Sequence, residues 1–160
     1  MAAPRAVVVG AGGISGAWFP PLKEEGVDVK AVVDLNREAA EKRIAEFELQ
    51  GTVASDDLAK TLAETEADFL VDLTVPEAHC EVACAGLEAG LHVVSEKPMA
   101  ASMDEARKMV ATSEKTGKLY MVSQSRRWDT KHATVAATVA AGRLVAWPPQ
   151  PNSFSVNSFT

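Results

Sequence analysis

A hydrophobic run that passes directly into a glycine-rich turn, VVVGAGGISG from Val7 to Gly16, constrains the fold of this chain more than any other feature. Gly10 permits a tight turn after a strand, and Gly12 carries no side chain to keep a pyrophosphate from the backbone. A helix beginning near Ile14 aims its unpaired N–H groups and positive dipole end at the anion. Gly10, Gly12, Gly13 and Ile14 are therefore the candidate phosphate contacts. The spacing departs from the dinucleotide fingerprint at its third position, where Ser15 stands in place of Gly or Ala and Gly16 follows one residue late. Ser15 is still small.

A second apolar strand, VDVKAVVD, ends at Asp34, about twenty residues beyond the turn, where an acidic side chain is expected to meet ribose hydroxyls. The same Asp34 could instead serve only as a helix N-cap before LNREAAEKRIAEF. As a ribose ligand it repels a 2′-phosphate, which favours NAD over NADP, while Arg37 lies close enough to soften that preference. NADP stays possible on this reading.

With 160 residues, 47% of them apolar and 24% charged, the chain has enough core-forming residues for one domain. A formal net charge of -6 and the lack of a basic cluster beyond Arg126 and Arg127 argue against nucleic-acid or anionic-membrane partners. No run approaches the roughly 20 apolar residues of a membrane span, and the N-terminus enters the first strand without a signal-peptide pattern, so a cytoplasmic location is expected. Cys80 and Cys84 stand one helical turn apart and read as small apolar core residues. No metal site is expected, because no further Cys or suitably spaced His completes one.

Strands are predicted at Ala6 to Val9, Val29 to Val33, Thr52 to Ala54, Phe69 to Leu73, His92 to Ser95 and Leu119 to Ser123. All but the short third are continuous apolar runs, which predicts burial on both faces. Helical patterns lie between them. Ala40, Ile44 and Phe47 share one face, with Glu38 and Lys42 as an i,i+4 pair, and Ala106, Met109, Val110 and Ser113 share another. Ser102 and Glu105 form a capping-box pattern, and Gly117 closes that helix. Pro20 and Pro21 predict a short or bent first helix. Strand and helix in alternation imply a doubly wound parallel α/β sheet of six strands, a Rossmann-type nucleotide-binding fold. Residues 1–145 are expected to form this domain. The proline-rich end, LVAWPPQPNSFSVNSFT, predicts an irregular or disordered tail over 146–160.

The segment DLTVPEAHCEVACAGLEAGLHVVSEKPMA, Asp72 to Ala100, with the GAGGISG turn, Asp34 and SQSRRW around it, resembles the N-terminal domain of the glucose-fructose oxidoreductase, inositol dehydrogenase and rhizopine-catabolism (Gfo/Idh/MocA) family. The match covers about residues 5 to 145. It implies that Glu96 and Lys97 stand beside the nicotinamide ring of NAD or NADP, with Lys97 as the catalytic cation on a sugar or polyol oxygen and Glu96 holding it. A cation that steadies the oxygen assists hydride transfer in either direction. Thr74 is a cofactor contact by its position at a strand's carboxyl end. His79 reads either as a ligand or as a residue of its helix's first turn, and Arg127 with Trp128 resembles the family's arginine-aromatic pair.

Family members continue with a substrate-binding and oligomer-forming domain that supplies an Asp and His pair. Asp129 and His132 come too early to be that pair, and structural or solvated roles are expected for them. The chain thus reads as the cofactor-binding half of an oxidoreductase, of doubtful turnover by itself. A noncatalytic nucleotide-binding or sensing module is the alternative. A methyltransferase using S-adenosylmethionine shares the glycine turn but has no role for Glu96 to Pro98.

Overall fold

The computed structural model describes residues 2–143, and the expected tail at 146–160 lies outside them. Two compact units divide the chain, Met1–Ser123 and Gln124–Thr160. The first holds β1 (Arg5–Val9), α1 (Ser15–Glu24), β2 (Asp28–Val33), α2 (Arg37–Glu46), β3 (Val53–Ser55), α3 (Leu58–Glu64), β4 (Phe69–Asp72), α4 (Pro76–Glu88), β5 (His92–Ser95), α5 (Met103–Thr116) and β6 (Tyr120–Val122). The described part of the second is a 3-10 turn at Ser125–Trp128 and α6 (Thr130–Ala140).

All six strands form one parallel sheet in the order β3-β2-β1-β4-β5-β6, the doubly wound arrangement expected from the alternating pattern. Strands feed outward in both directions from β1 and β4, so the chain's direction of winding reverses between them. The crevice at their carboxyl ends is the place where such sheets bind ligands.

Side chains alternate between two cores. Val7, Val9, Leu70 and Val93 face a layer containing Cys80, Cys84, Leu87 and Met109 from α4 and α5. Val8, Val32 and Val71 face Phe19, Leu22 and Ala40 from α1 and α2. Phe19 also packs on Phe47, with ring centroids 5.1 Å apart, a tilted geometry that aromatic quadrupoles favour. Gly86 lets α4 approach the sheet closely, since a Cβ there would stand 3.0 Å from Leu70 Cδ1 and 3.1 Å from Val93 Cγ2. The two cysteines are core residues as expected, and burial pushes the Cys80 thiol up.

Several local expectations are corrected. Of the two alternatives for the first helix, it is not cut short at its prolines: α1 continues through Pro20 and Pro21 to Glu24. Both prolines are exposed, so the carbonyls that lose an N–H donor lie on the solvent side, while Phe19 and Leu22 hold the helix to the sheet. The Leu119 to Ser123 run is not buried on both faces, because β6 is an edge strand and Met121 is 59% exposed on the side opposite α5. On α2 the i,i+4 ion pair is Arg37–Glu41, at 3.1 Å, rather than Glu38 and Lys42. On α5, Met109 is fully buried but Val110 is largely exposed, and Thr112 takes the inner position instead. The capping box there is half made: Ser102 Oγ accepts the Glu105 N–H at 3.3 Å, while Glu105 Oε2 is buried without a partner among the described residues.

Gly10 is held at a φ of +100°, and a Cβ added to it would lie 2.7 Å from both the carbon and the oxygen of the Leu73 carbonyl. Gly10→Ala combines a left-handed backbone with overpacking against main chain and is expected to lower stability by about 2–5 kcal/mol. Urea unfolding followed by circular dichroism measures this as a reduced midpoint at unchanged slope.

Candidate functional site: a cleft at the switch point

A cleft of about 560 Å³ opens at the carboxyl ends of β1, β2 and β4, within the size range of small-molecule sites. Gly10, Gly12, Gly13, Ile14, Asp34 and Thr74 all line it, together with apolar walls that include Leu35, Leu58 and Val75. Six of the residues singled out in the sequence are therefore brought together in one place.

The glycine turn is locked from behind. Gly10 N–H donates to the Val33 carbonyl at 2.7 Å, joining the turn to the end of β2. Asp34 Oδ2 accepts the Ala11 N–H at 2.7 Å, and its Oδ1 accepts the Asn36 N–H at 2.9 Å. The N-cap of α2 is Asn36, whose side chain accepts the Glu38 N–H, so Asp34 is not the cap. Arg43, from α2, donates to the carbonyls of Ala11 and Gly12 at 3.2 and 3.0 Å. Ser15, fully buried, donates its hydroxyl to the same Gly12 carbonyl at 2.7 Å. Ser15 thus fits the third fingerprint position by satisfying its own hydroxyl within the turn.

With those carbonyls tied back, the opposite edge of the turn is left to the cleft. Among the described residues no protein acceptor meets the N–H groups of Gly12, Gly13 or Ile14, and a Cβ at Gly12 or Gly13 would meet no atom within 4 Å. Ile14 is the N-cap of α1 and supplies no side-chain cap. Free N–H groups, an open backbone and a helix start form the donor set that a pyrophosphate needs, so the residues present fit a dinucleotide.

At the end of β4, Asp72 is fully buried, and its Oδ1 accepts the Thr74 N–H and hydroxyl at 3.1 and 2.6 Å. Its Oδ2 has no partner among the described residues. Burial pushes its carboxyl above the usual carboxylate range, against the lowering effects of the Thr74 bonds and of His79. Beside it Ser95 Oγ and Tyr120 Oη lie 2.6 Å apart, and burial pushes the Tyr120 phenol up.

Glu96 and Lys97 follow β5 directly. Glu96 does not hold the Lys97 ammonium, as the resemblance implied. Its Oε1 accepts the Trp18 indole N–H at 2.8 Å, and its Oε2 accepts the Lys97 backbone N–H at 3.1 Å. Among the described residues no carboxylate comes within ion-pair distance of Lys97 Nζ, and the side chain is exposed. The Lys97–Pro98 peptide is cis. His79 is fully buried, with Nδ1 2.8 Å from the Pro98 carbonyl and Nε2 3.1 Å from the Thr74 carbonyl. What His79 contributes to the cleft is the placement of those segments and not a free nitrogen.

In the second unit Arg127 is exposed and its N–H donates to the Gln124 carbonyl. Asp129 caps α6 by accepting the Lys131 N–H at 2.8 Å, with the His132 ring 3.5 Å away, both side chains in contact with solvent. Among the described residues no cluster of metal-ligating side chains occurs, and no helix is long and apolar enough to cross a membrane.

Two residues of the site, Trp18 and Arg43, are not marked by the sequence. A tryptophan on a helix face and an arginine among EKR residues carry no local signal, since their partners lie far along the chain.

The match to known proteins agrees with this geometry. A family model described as an oxidoreductase family with an NAD-binding Rossmann fold covers residues 4–124. The chain belongs to the Gfo/Idh/MocA oxidoreductase family. A 4-carboxy-2-hydroxymuconate-6-semialdehyde dehydrogenase of Sphingobium sp. is 29% identical over 88% of this chain and 44% of its own length. An inositol 2-dehydrogenase/D-chiro-inositol 3-dehydrogenase of Halalkalibacterium halodurans is 31% identical over 76% of this chain and 36% of its own length. Among solved structures, the WlbA dehydrogenase of Bordetella pertussis, in complex with NADH and UDP-GlcNAcA, superposes with a TM-score of 0.78 at 29% identity, covering 88% of this chain and 40% of that one. The chain thus spans less than half the length of these relatives.

Asp72→Asn tests the buried carboxyl. A carboxyl raised in the folded state holds its proton more tightly there than in the unfolded chain, so its contribution to stability is full below the ordinary carboxylate pKa and is lost as pH rises through the folded value. Unfolding free energies measured from pH 4 to 8 are expected to show wild type losing ground to Asp72→Asn as pH rises. A constant difference would rule out the titration.

Proposed function

We propose that this chain binds NAD in the switch-point cleft and serves as the cofactor-binding part of an oxidoreductase acting on a sugar or polyol hydroxyl or carbonyl. The observation that carries the proposal is the turn from Gly10 to Ile14, whose Ala11 and Gly12 carbonyls are tied back to Arg43 and Ser15 while no described acceptor meets the N–H groups of Gly12, Gly13 and Ile14.

In this reading the N–H groups of Gly12, Gly13 and Ile14 hold the pyrophosphate. Asp34 holds the adenosine ribose with the lone pairs that Ala11 and Asn36 leave over, and Thr74 forms the wall toward the nicotinamide half. Asp56 and Glu81 also line the cleft, and Arg37 is committed to Glu41, so the surroundings of the ribose are acidic and disfavour a 2′-phosphate. NAD is preferred to NADP on that ground.

When bound, the cofactor supplies a nicotinamide ring that gives or takes a hydride. The exposed Lys97 ammonium, with no carboxylate to neutralise it among the described residues, donates a hydrogen bond to the substrate oxygen and steadies the negative charge that builds there. Glu96, fixed by Trp18, holds the adjoining backbone. Arg127 enters the proposal through the family resemblance of its pair with Trp128. The substrate class is that of the inositol dehydrogenases among the relatives. The protein is read as cytoplasmic, in keeping with a soluble dinucleotide cofactor.

Calorimetric titration is expected to show saturable NADH binding and at least about ten-fold weaker NADPH binding, with Asp34→Ala narrowing that gap. Gly12→Val places its side chain in open space, so the fold survives while the phosphate cradle is filled. Loss of NADH binding in a folded Gly12→Val protein supports the proposal. Unchanged binding contradicts it.

A further inference from the structure

One buried side chain connects the cleft to the segment carrying Lys97, and the proposed chemistry does not use it. His79 stands in the first turns of α4, fully buried, with a carbonyl oxygen facing each ring nitrogen: Pro98 at 2.8 Å on Nδ1 and Thr74 at 3.1 Å on Nε2. A carbonyl can only accept, so the ring must donate, and it donates to one or both according to its protonation.

The Glu96–Pro98 segment has few other attachments. Its first residue is fixed twice, by the Glu96 N–H on the Asp72 carbonyl at 2.9 Å and by the Glu96 carboxylate on Trp18. Its last residue is fixed by His79. Lys97, between them, is exposed, and apart from its N–H on the Glu96 carboxylate no described group fixes its direction. The other end of the His79 bridge is the Thr74 carbonyl, whose residue is pinned in turn by Asp72 through both its N–H and its hydroxyl. Asp72, Thr74, His79 and Pro98 therefore form a hydrogen-bonded relay, buried at Asp72 and His79, from the end of β4 to the residue after Lys97.

We propose that His79 is a positioning residue, whose bond to the Pro98 carbonyl sets where Glu96 and Lys97 stand at the nicotinamide end of the cleft. This rests on the NAD-binding reading above. That reading places the adenosine diphosphate half of the cofactor on the Gly10–Ile14 turn and Asp34, neither of which is hydrogen-bonded to His79. A ligand lacking nicotinamide should therefore be indifferent to the His79–Pro98 bond, and one carrying it should not.

The test uses the whole chain and two ligands, ADP-ribose and NADH, with two isosteric variants. His79→Asn puts an amide nitrogen near the Nδ1 position and can retain the bond to Pro98. His79→Gln reaches the Nε2 position and can retain only the bond to Thr74. Expected are ADP-ribose affinities equal within about two-fold in all three proteins, NADH affinity reduced about ten-fold in His79→Gln, and NADH affinity largely rescued in His79→Asn. Parallel loss of both ligands in both variants, or no loss of NADH in either, overturns the inference. Failure of the wild type to bind ADP-ribose overturns the cofactor reading itself, a separate result.

Should the variants not fold, the unsubstituted chain still decides. Its His79 ring nitrogen and Lys97 amide resonances are expected to shift on adding NADH and to stay put on adding ADP-ribose. Identical responses to the two ligands contradict the proposal.

Discussion

The close approach of Gly10 to the Leu73 main chain is the constraint on which the rest of the structure depends. It brings the end of β1 against the end of β4, and the Gly10 N–H ties the same point to the end of β2. Three strands converge there, and the winding of the sheet reverses across it. A side chain at this position would separate β1 from β4 and close the crevice by displacing its floor. Once that contact is made, the residues that follow must turn upward, and Asp34, Arg43 and Ser15 select which backbone groups they present to the cleft.

Polar groups are arranged here by exclusion as much as by attraction. The carbonyls of Ala11 and Gly12 are engaged by Arg43 on the α2 side and so turned from the cleft. Asp34 serves the fold through Ala11 and Asn36 and faces the cleft with what remains of its accepting capacity. The same economy appears at β4 and β5, where Asp72 orders Thr74, Thr74 and Pro98 share His79, and Trp18 reaches over from α1 to fix Glu96. The glycine turn is thus rigidified by α2, and the segment carrying Lys97 by α1 and α4.

Most of the fold was legible in the sequence because its strands are buried runs bounded by glycine and polar punctuation. β5 falls on its expected residues, and the other five strands agree to within one residue at either end. What could not be read was fixed by neighbours distant in sequence. The exposure of Met121 depends on β6 being an edge, and the continuation of α1 through Pro20 and Pro21 depends on Phe19 and Leu22 anchoring that helix to the sheet. That Gly10, Gly12, Gly13, Ile14, Asp34 and Thr74 meet at one cleft was legible because turn chemistry and strand ends are local signals. Arg43, Trp18 and the two-sided engagement of His79 were not, because each involves a partner many residues away. The expectation that Glu96 grips Lys97 failed for a geometric reason: Glu96 reaches the Trp18 indole and its neighbour's backbone N–H.

We propose that the N–H groups of Gly12, Gly13 and Ile14, which no described residue accepts, form the anion-binding surface of this protein. Amide NMR spectra recorded while ADP-ribose is added test it most directly. Large, saturable shifts are expected at Gly12, Gly13 and Ile14, a smaller one at Ala11, and little change along the opposite edge of the sheet near Asp28 and Asp68. Shifts scattered over the surface, or absent from Gly12 to Ile14 while the ligand binds elsewhere, would contradict it.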